Sequence, residues 1–134
     1  MIKSNRRKFL ALAAGLAAVS SVKGNPLMTT KKNILAHQVY FWLKKPDSAE
    51  DRTELIKGIK TLRKIESVKK LSIGIVAATE KRSVIDDTWS VSELAIFSDL
   101  AGEAAYQVHP IHNDFVKNYS HLWAKVVVYD STEV

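Results

Sequence analysis

Residues 34–65 read ILAHQVYFWLKKPDSAEDRTELIKGIKTLRKI, and a change of period inside them decides the fold. From Ile34 to Lys44 the chain is β-branched and aromatic almost without a break, the pattern of a strand covered on both faces. Lys45-Pro46-Asp47 interrupts it. Ser48 and Asp51 then resemble a capping box with Asp in place of Glu, and Leu55, Ile59, Leu62 and Ile65 recur at helical spacing, with Ile56 widening the stripe. The spacing predicts an amphipathic helix over 48–65.

Further along, Val68 to Ala78 alternates Leu71, Ile73, Ile75 and Ala77 with Ser72, Gly74 and Val76, which predicts a second strand. The charged run Glu80 to Asp87 connects it to a third strand at 88–97, with Trp89, Val91, Glu93, Ala95 and Phe97 on one face. Ser98 or Asp99 can cap a second helix carrying Leu100, Ala104, Ala105 and Val108. Pro110 breaks that helix and can open a new segment, 110–120, with His112, Phe115, Val116 and Tyr119 on one side. Trp123 to Tyr129 makes the last strand, ending at Asp130. Strand, helix, strand, strand, helix, strand is the order of a ferredoxin-like α+β fold, a four-stranded antiparallel sheet with its helices on one face. Large apolar groups on both faces of the strands leave one face without cover, so the expected state is a homodimer whose sheets face each other and close a barrel.

With 134 residues, 46% of them hydrophobic, and no cysteine, the chain holds one ordinary domain and no disulfide scaffold. Its formal charge of +6 is misleading. Lys3, Arg6, Arg7, Lys8 and Lys23 lie in the first 24 residues, where there is no acid, and the rest carries 15 basic against 14 acidic residues. That balance speaks against a nucleic-acid partner. Residues 1–24 have the layout of an export signal: a basic cluster, an apolar run from Phe9 to Val19, then small and polar residues. The run is well short of the roughly 20 residues that span a bilayer, so no permanent membrane span is expected after cleavage. Asn5-Arg6-Arg7-Lys8-Phe9-Leu10 resembles a twin-arginine signal, and cleavage after Ser20 or after Gly24 fits the small-residue rule, which makes the expected location periplasmic. Residues 25–33, NPLMTTKKN, read as a flexible arm.

Tyr106-Gln107-Val108-His109-Pro110-Ile111-His112, with Phe115 three residues on, strand-borne His37 and the closing VVVYD of Val126 to Asp130, resembles the stress-responsive α/β barrel (Dabb) family over residues 34–130. The resemblance implies a dimeric ferredoxin-like barrel with an apolar cavity between sheet and helices. It also implies, from the family's polyketide ring closure by a Tyr and a His, that Tyr106 and His112 are the catalytic candidates and His37 a cavity residue. Glu93 departs from the pattern, at a position where an apolar or small residue is expected.

The residues support a site without the name. Tyr106 and His109 are three apart on a helix and share a face, and His112 follows the Pro110 break. An imidazole can serve as base and a phenol as donor to a carbonyl or enolate oxygen, which suits proton abstraction and aldol closure. Each residue also has a structural reading: His109 caps the segment after Pro110, His112 and His37 are hydrogen-bonded core histidines, and Tyr106 fills a wall. A carboxylate at Glu93 on an apolar face requires a partner, and His37 on the neighbouring strand is the expected one, the alternative being a wet dimer rim. His37, Val39, Phe41, Glu93, His109 and Phe115 are therefore the expected ligand contacts. Pocket volume should depend on Val39, Phe41, Ile73, Phe115 and Tyr119, with Trp42, Trp89 and Trp123 as core or interface anchors. The lysine and arginine run from Lys57 to Lys70 reads as a solvated face.

No nucleophilic Ser or Cys motif, phosphate loop or strong metal spacing appears, so neither cofactor nor metal is expected. Three functions remain: sequestering an apolar small molecule in a stress-response role, a cyclase or lyase reaction using Tyr106 and His112, and an oxidation by analogy with other barrels of this class.

Overall fold

The computed structural model describes residues 33–134, so the leader of residues 1–24 and nearly all of the arm lie outside the described residues. Strand β1 (Leu35–Leu43) leads into helix α1 (Ala49–Thr61), β2 (Lys70–Gly74), β3 (Val91–Phe97), α2 (Leu100–Gln107), α3 (Pro110–Tyr119) and β4 (Trp123–Thr132). The sheet order is β2-β3-β1-β4 with every pair antiparallel, which is the expected ferredoxin-like arrangement. Single 3-10 turns at Leu62–Lys64 and Ser120–Leu122 finish α1 and α3.

Ser48 caps α1 by accepting from the Asp51 amide at 3.1 Å. The return half of the capping box is absent: the Ser48 amide donates to the Lys45 carbonyl at 3.0 Å instead of to Asp51. Asp99 caps α2 by accepting from the Gly102 amide at 2.8 Å. His109 caps α3 through Nδ1, which accepts from the Ile111 amide at 3.1 Å, with Pro110 in the first turn where its missing N–H is no loss.

The core lies between the sheet and α1, α2 and α3. Leu35, Val39, Phe41 and Leu43 of β1 and Val91, Ala95 and Phe97 of β3 bury one face against Leu55, Ile59, Tyr106 and Phe115. Helices α1 and α3 approach closely at Gly58, where an added Cβ would stand 2.7 Å from the Tyr119 ring. The opposite residues of β1 and β3 are only half covered, which gives β1 a strict alternation rather than two hidden faces.

Three further expectations need correction. Strand β2 stops at Gly74, because its partner β3 begins at Val91 and residues beyond Gly74 have no neighbour to pair with; Ile75 is 56% exposed. Trp89 precedes β3 and does not share the Glu93 face: its ring packs on Tyr40 at 5.1 Å, on the open side. The stripe assigned to the second helix is solvent-facing, with Leu100 67% and Val108 74% exposed, and Tyr106 is the residue α2 buries.

Candidate functional site

Five elements converge on one small cavity of about 160 Å³, walled by Val39, Phe41, Phe115, Trp123, Val126 and Val128, with His37, Glu93, Tyr106 and His112 also in its lining. The register explains the wall on the sheet side. Val39 pairs with Glu93 across β1–β3, and Val128 and Val126 of β4 sit opposite Val39 and Phe41. Helices α2 and α3 form the roof but stop short of β4, so Val126 and Val128 stay 43% exposed and the cavity opens on that side.

Tyr106 is 1% exposed and its hydroxyl donates to Glu93 Oε1 at 2.9 Å, while Glu93 is itself 1% exposed. His37, also buried, places Nδ1 2.6 Å from Asp130 Oδ1, the residue directly across β1–β4. Because a carboxylate can only accept, Nδ1 is the protonated nitrogen of the His37 ring. The Tyr106 ring bridges the two histidines, with centroids 5.6 Å from His37 and 4.6 Å from His112.

The electrostatics follow from burial. Glu93 is pushed up to about 6, chiefly because the low-dielectric interior penalises its charge, with the Tyr106 hydrogen bond and nearby His37 pulling the other way. Burial also raises the Tyr106 phenol above its ordinary range, and the Glu93 charge adds to it. His112 is lowered, first by burial and then by His37, although a hydrogen bond to the Gln107 backbone favours its charged form.

The sequence-expected residues mostly assemble: His37, Val39, Phe41, Glu93, Tyr106, His112 and Phe115 all line the cavity. His109 does not; its Nδ1 caps α3 and its Nε2 lies 3.3 Å from exposed Glu66, whose carboxyl is lowered first by a backbone hydrogen bond and then by His109. Ile73 and Tyr119 pack on the core outside the lining. The expected Glu93–His37 pair gives way to two separate pairs, Glu93 with Tyr106 and His37 with Asp130. Sequence reasoning missed Asp130 and the lining residues Gln107, Val116, Trp123, Val126 and Val128. Extending the last strand beyond Tyr129 would have placed Asp130 opposite His37.

Among the described residues, His37, Glu103 and Asp130 are the group whose ligand atoms, all within 4.8 Å of one another, could hold a metal ion. Three larger hollows lie elsewhere: about 500 Å³ within the loop lined by Val76 to Asp87, about 410 Å³ on the open sheet face, lined by Gln38, Tyr40, Trp42, Asp86, Trp89 and Tyr129, and about 290 Å³ between Pro46, Arg52, Ile75 and Thr88. No helix among the described residues is long and apolar enough to cross a membrane.

Residues 35–133 match the family model described as Stress Responsive A/B Barrel Domain. A search of curated proteins finds no match. Among solved structures, a Dabb family protein with a ferredoxin-like fold from Mesorhizobium loti superposes with a TM-score of 0.62 at 20% identity, over 76% of this chain and 98% of that one. A dimeric ferredoxin-like protein of unknown function from Thermobifida fusca gives 0.63 at 16%, over 77% and 93%. The hydroxynitrile lyase from Passiflora edulis gives 0.64 at 21%, over 77% and 95%. At these identities the likeness establishes the fold alone.

Proposed function

Since the chain belongs to the stress responsive A/B barrel domain family, we propose that it works as a homodimeric barrel in which each protomer holds a small, largely apolar molecule between its sheet and helices. The observation that carries this reading is the cavity: about 160 Å³, aromatic and aliphatic on its walls, with buried titratable groups gathered in its lining. A volume near 150 Å³ accommodates a benzene ring, so the fitting ligand has one ring or a short chain. Dimerisation is supported by relatives described as dimeric and by the aromatic groups left half-covered on the open sheet face.

The test is native mass spectrometry of freshly purified protein, followed by titration with single-ring compounds. A Val116→Trp variant, which fills the cavity from α3, should abolish binding while the fold persists. Equal binding by the filled variant would refute the cavity as the site.

A lyase-type reaction is the second reading, and the His37–Asp130 pair favours it. A carboxylate holding Nδ1–H orients the ring and stabilises the imidazolium that forms when Nε2 takes a proton. His37 would then be the base, with Tyr106 oriented by Glu93 beside it. Asp130→Asn should lower kcat much more than it raises KM if this reaction occurs. Export through the leader of residues 1–24 and a stress-related role complete the proposal; cell fractionation with antibody against the chain checks the former.

A further inference from the structure

We infer that Glu93 sets the hydrogen-bond polarity of the cavity, so that it selects ligands bearing a hydroxyl or protonated amine over those bearing a carbonyl; the inference rests on the cavity-binding reading above. A phenol has one proton to give, and Tyr106 gives it to the Glu93 carboxylate at 2.9 Å. Its remaining capacity toward the cavity is as an acceptor. The same accounting holds for His37. His37 donates from Nδ1 to Asp130, which leaves Nε2 as the nitrogen that can accept. The His112 ring lies 4.6 Å from the Tyr106 ring, and burial disfavours its charged, all-donor form.

Two ring groups, His37 from β1 and Tyr106 from α2, therefore meet beside a buried carboxylate, and both offer lone pairs. The titratable and charged groups around Glu93 are His37 from β1, Tyr106 and Glu103 from α2, His112 from α3 and Asp130 from β4. Among the described residues no Lys or Arg pairs with Glu93. Of the donors in the lining, the Gln107 amide is engaged by Glu103 at 2.7 Å. A ligand hydroxyl or ammonium supplies the hydrogen-bond donor this cluster lacks, whereas a carbonyl oxygen would face lone pairs only. Protonating Glu93 reverses the arrangement, because the carboxylic acid then donates to the Tyr106 oxygen and frees the phenol proton for a carbonyl.

The test titrates the purified full-length chain with 1-phenylethanol and acetophenone, an alcohol and a ketone of matched shape. At pH 7.5 the alcohol should bind about tenfold more tightly, the size expected for one mispaired buried group. Glu93→Gln should bring the two affinities within about twofold, since its amide can donate to the Tyr106 oxygen. Lowering the pH to 5 should do the same to the unmodified protein, and this arm decides if the variant does not fold. Equal binding of both probes at pH 7.5, or a preference that survives both treatments, overturns the polarity assignment and leaves the cavity reading standing. Binding of neither probe overturns both.

Discussion

The two faces of the same sheet are built from alternate residues of the same strands, yet they solve opposite problems. Beneath the helices, Leu35, Val39, Phe41, Val91, Ala95 and Phe97 are at most 4% exposed, and two polar residues, His37 and Glu93, are hidden with them. On the other face, Gln38, Tyr40 and Trp42 are half-covered and satisfy their polar atoms locally: the Gln38 amide donates to the Tyr40 hydroxyl at 2.6 Å and the Trp42 indole to Thr88 Oγ1 at 2.8 Å. Lys125 lies 4.5 Å over the Trp42 ring. The covered face shifts proton affinities because it excludes water; the open one keeps its polar groups wet and its aromatic groups available to a second sheet.

The largest effect should separate neighbours in sequence. Phe41→Ala removes a ring 2% exposed that packs 5.0 Å from Trp123 and 6.3 Å from Phe115, and should destabilise the protein by about 3–5 kcal/mol in urea unfolding. Tyr40→Asp, one residue away on the other face, should leave the protomer folded by circular dichroism while sedimentation shows the dimer dissociating. A Tyr40→Asp protein that remains dimeric would break the contrast, and with it the idea that this face is the dimer seam.

A smaller effect sharpens the comparison through pH. Glu93 is held at about 6 in the folded protein against an ordinary value of 4.5, so the folded state binds its proton more tightly than the unfolded chain does. Stability from this group is therefore fully present below about 4.5 and is lost as pH rises through about 6, a swing of about 2 kcal/mol. Glu93→Gln has no such proton to lose. The stability difference between the variant and the unmodified protein should shift in the variant's favour by about that amount between pH 4 and pH 7.5 in denaturant unfolding. A difference that does not move with pH would mean that Glu93 is not buried as a charge.

Much of this architecture was legible because the signals were local. Ser48 and the Leu55–Ile59–Leu62–Ile65 spacing announce α1, and the alternation at Val91, Glu93, Ala95 and Phe97 announces β3 with the correct face inward. The pairing of the polar groups was not local. Glu93 and His37 do sit on adjacent strands and one face, but the register sets Val39 opposite Glu93 and Ala95 opposite His37, so the carboxylate and imidazole are diagonal and Tyr106 reaches between. Asp130 meets His37 across 93 residues of chain, a relation fixed by the β1–β4 register and not by spacing within either segment. Tyr106, His109 and His112 were visible as a cluster. The fold then sends Tyr106 and His112 into the cavity and His109 to the helix cap, because Pro110 turns the chain between α2 and α3.

The same reasoning gives the smallest predicted effect. Leu100, Ala104, Ala105 and Val108 follow a helical period that reads as a buried stripe, but α2 has only eight residues and is held by the Asp99 cap and by Tyr106 alone, which turns the stripe outward. Leu100→Ser, at a position 67% exposed, should therefore change stability by no more than about 0.5 kcal/mol, against the 2–5 kcal/mol typical of truncating a buried Leu. Urea unfolding at several protein concentrations measures this directly. A loss above 1 kcal/mol that grows with protein concentration would show that α2, and not only the open sheet face, is covered in the assembled protein.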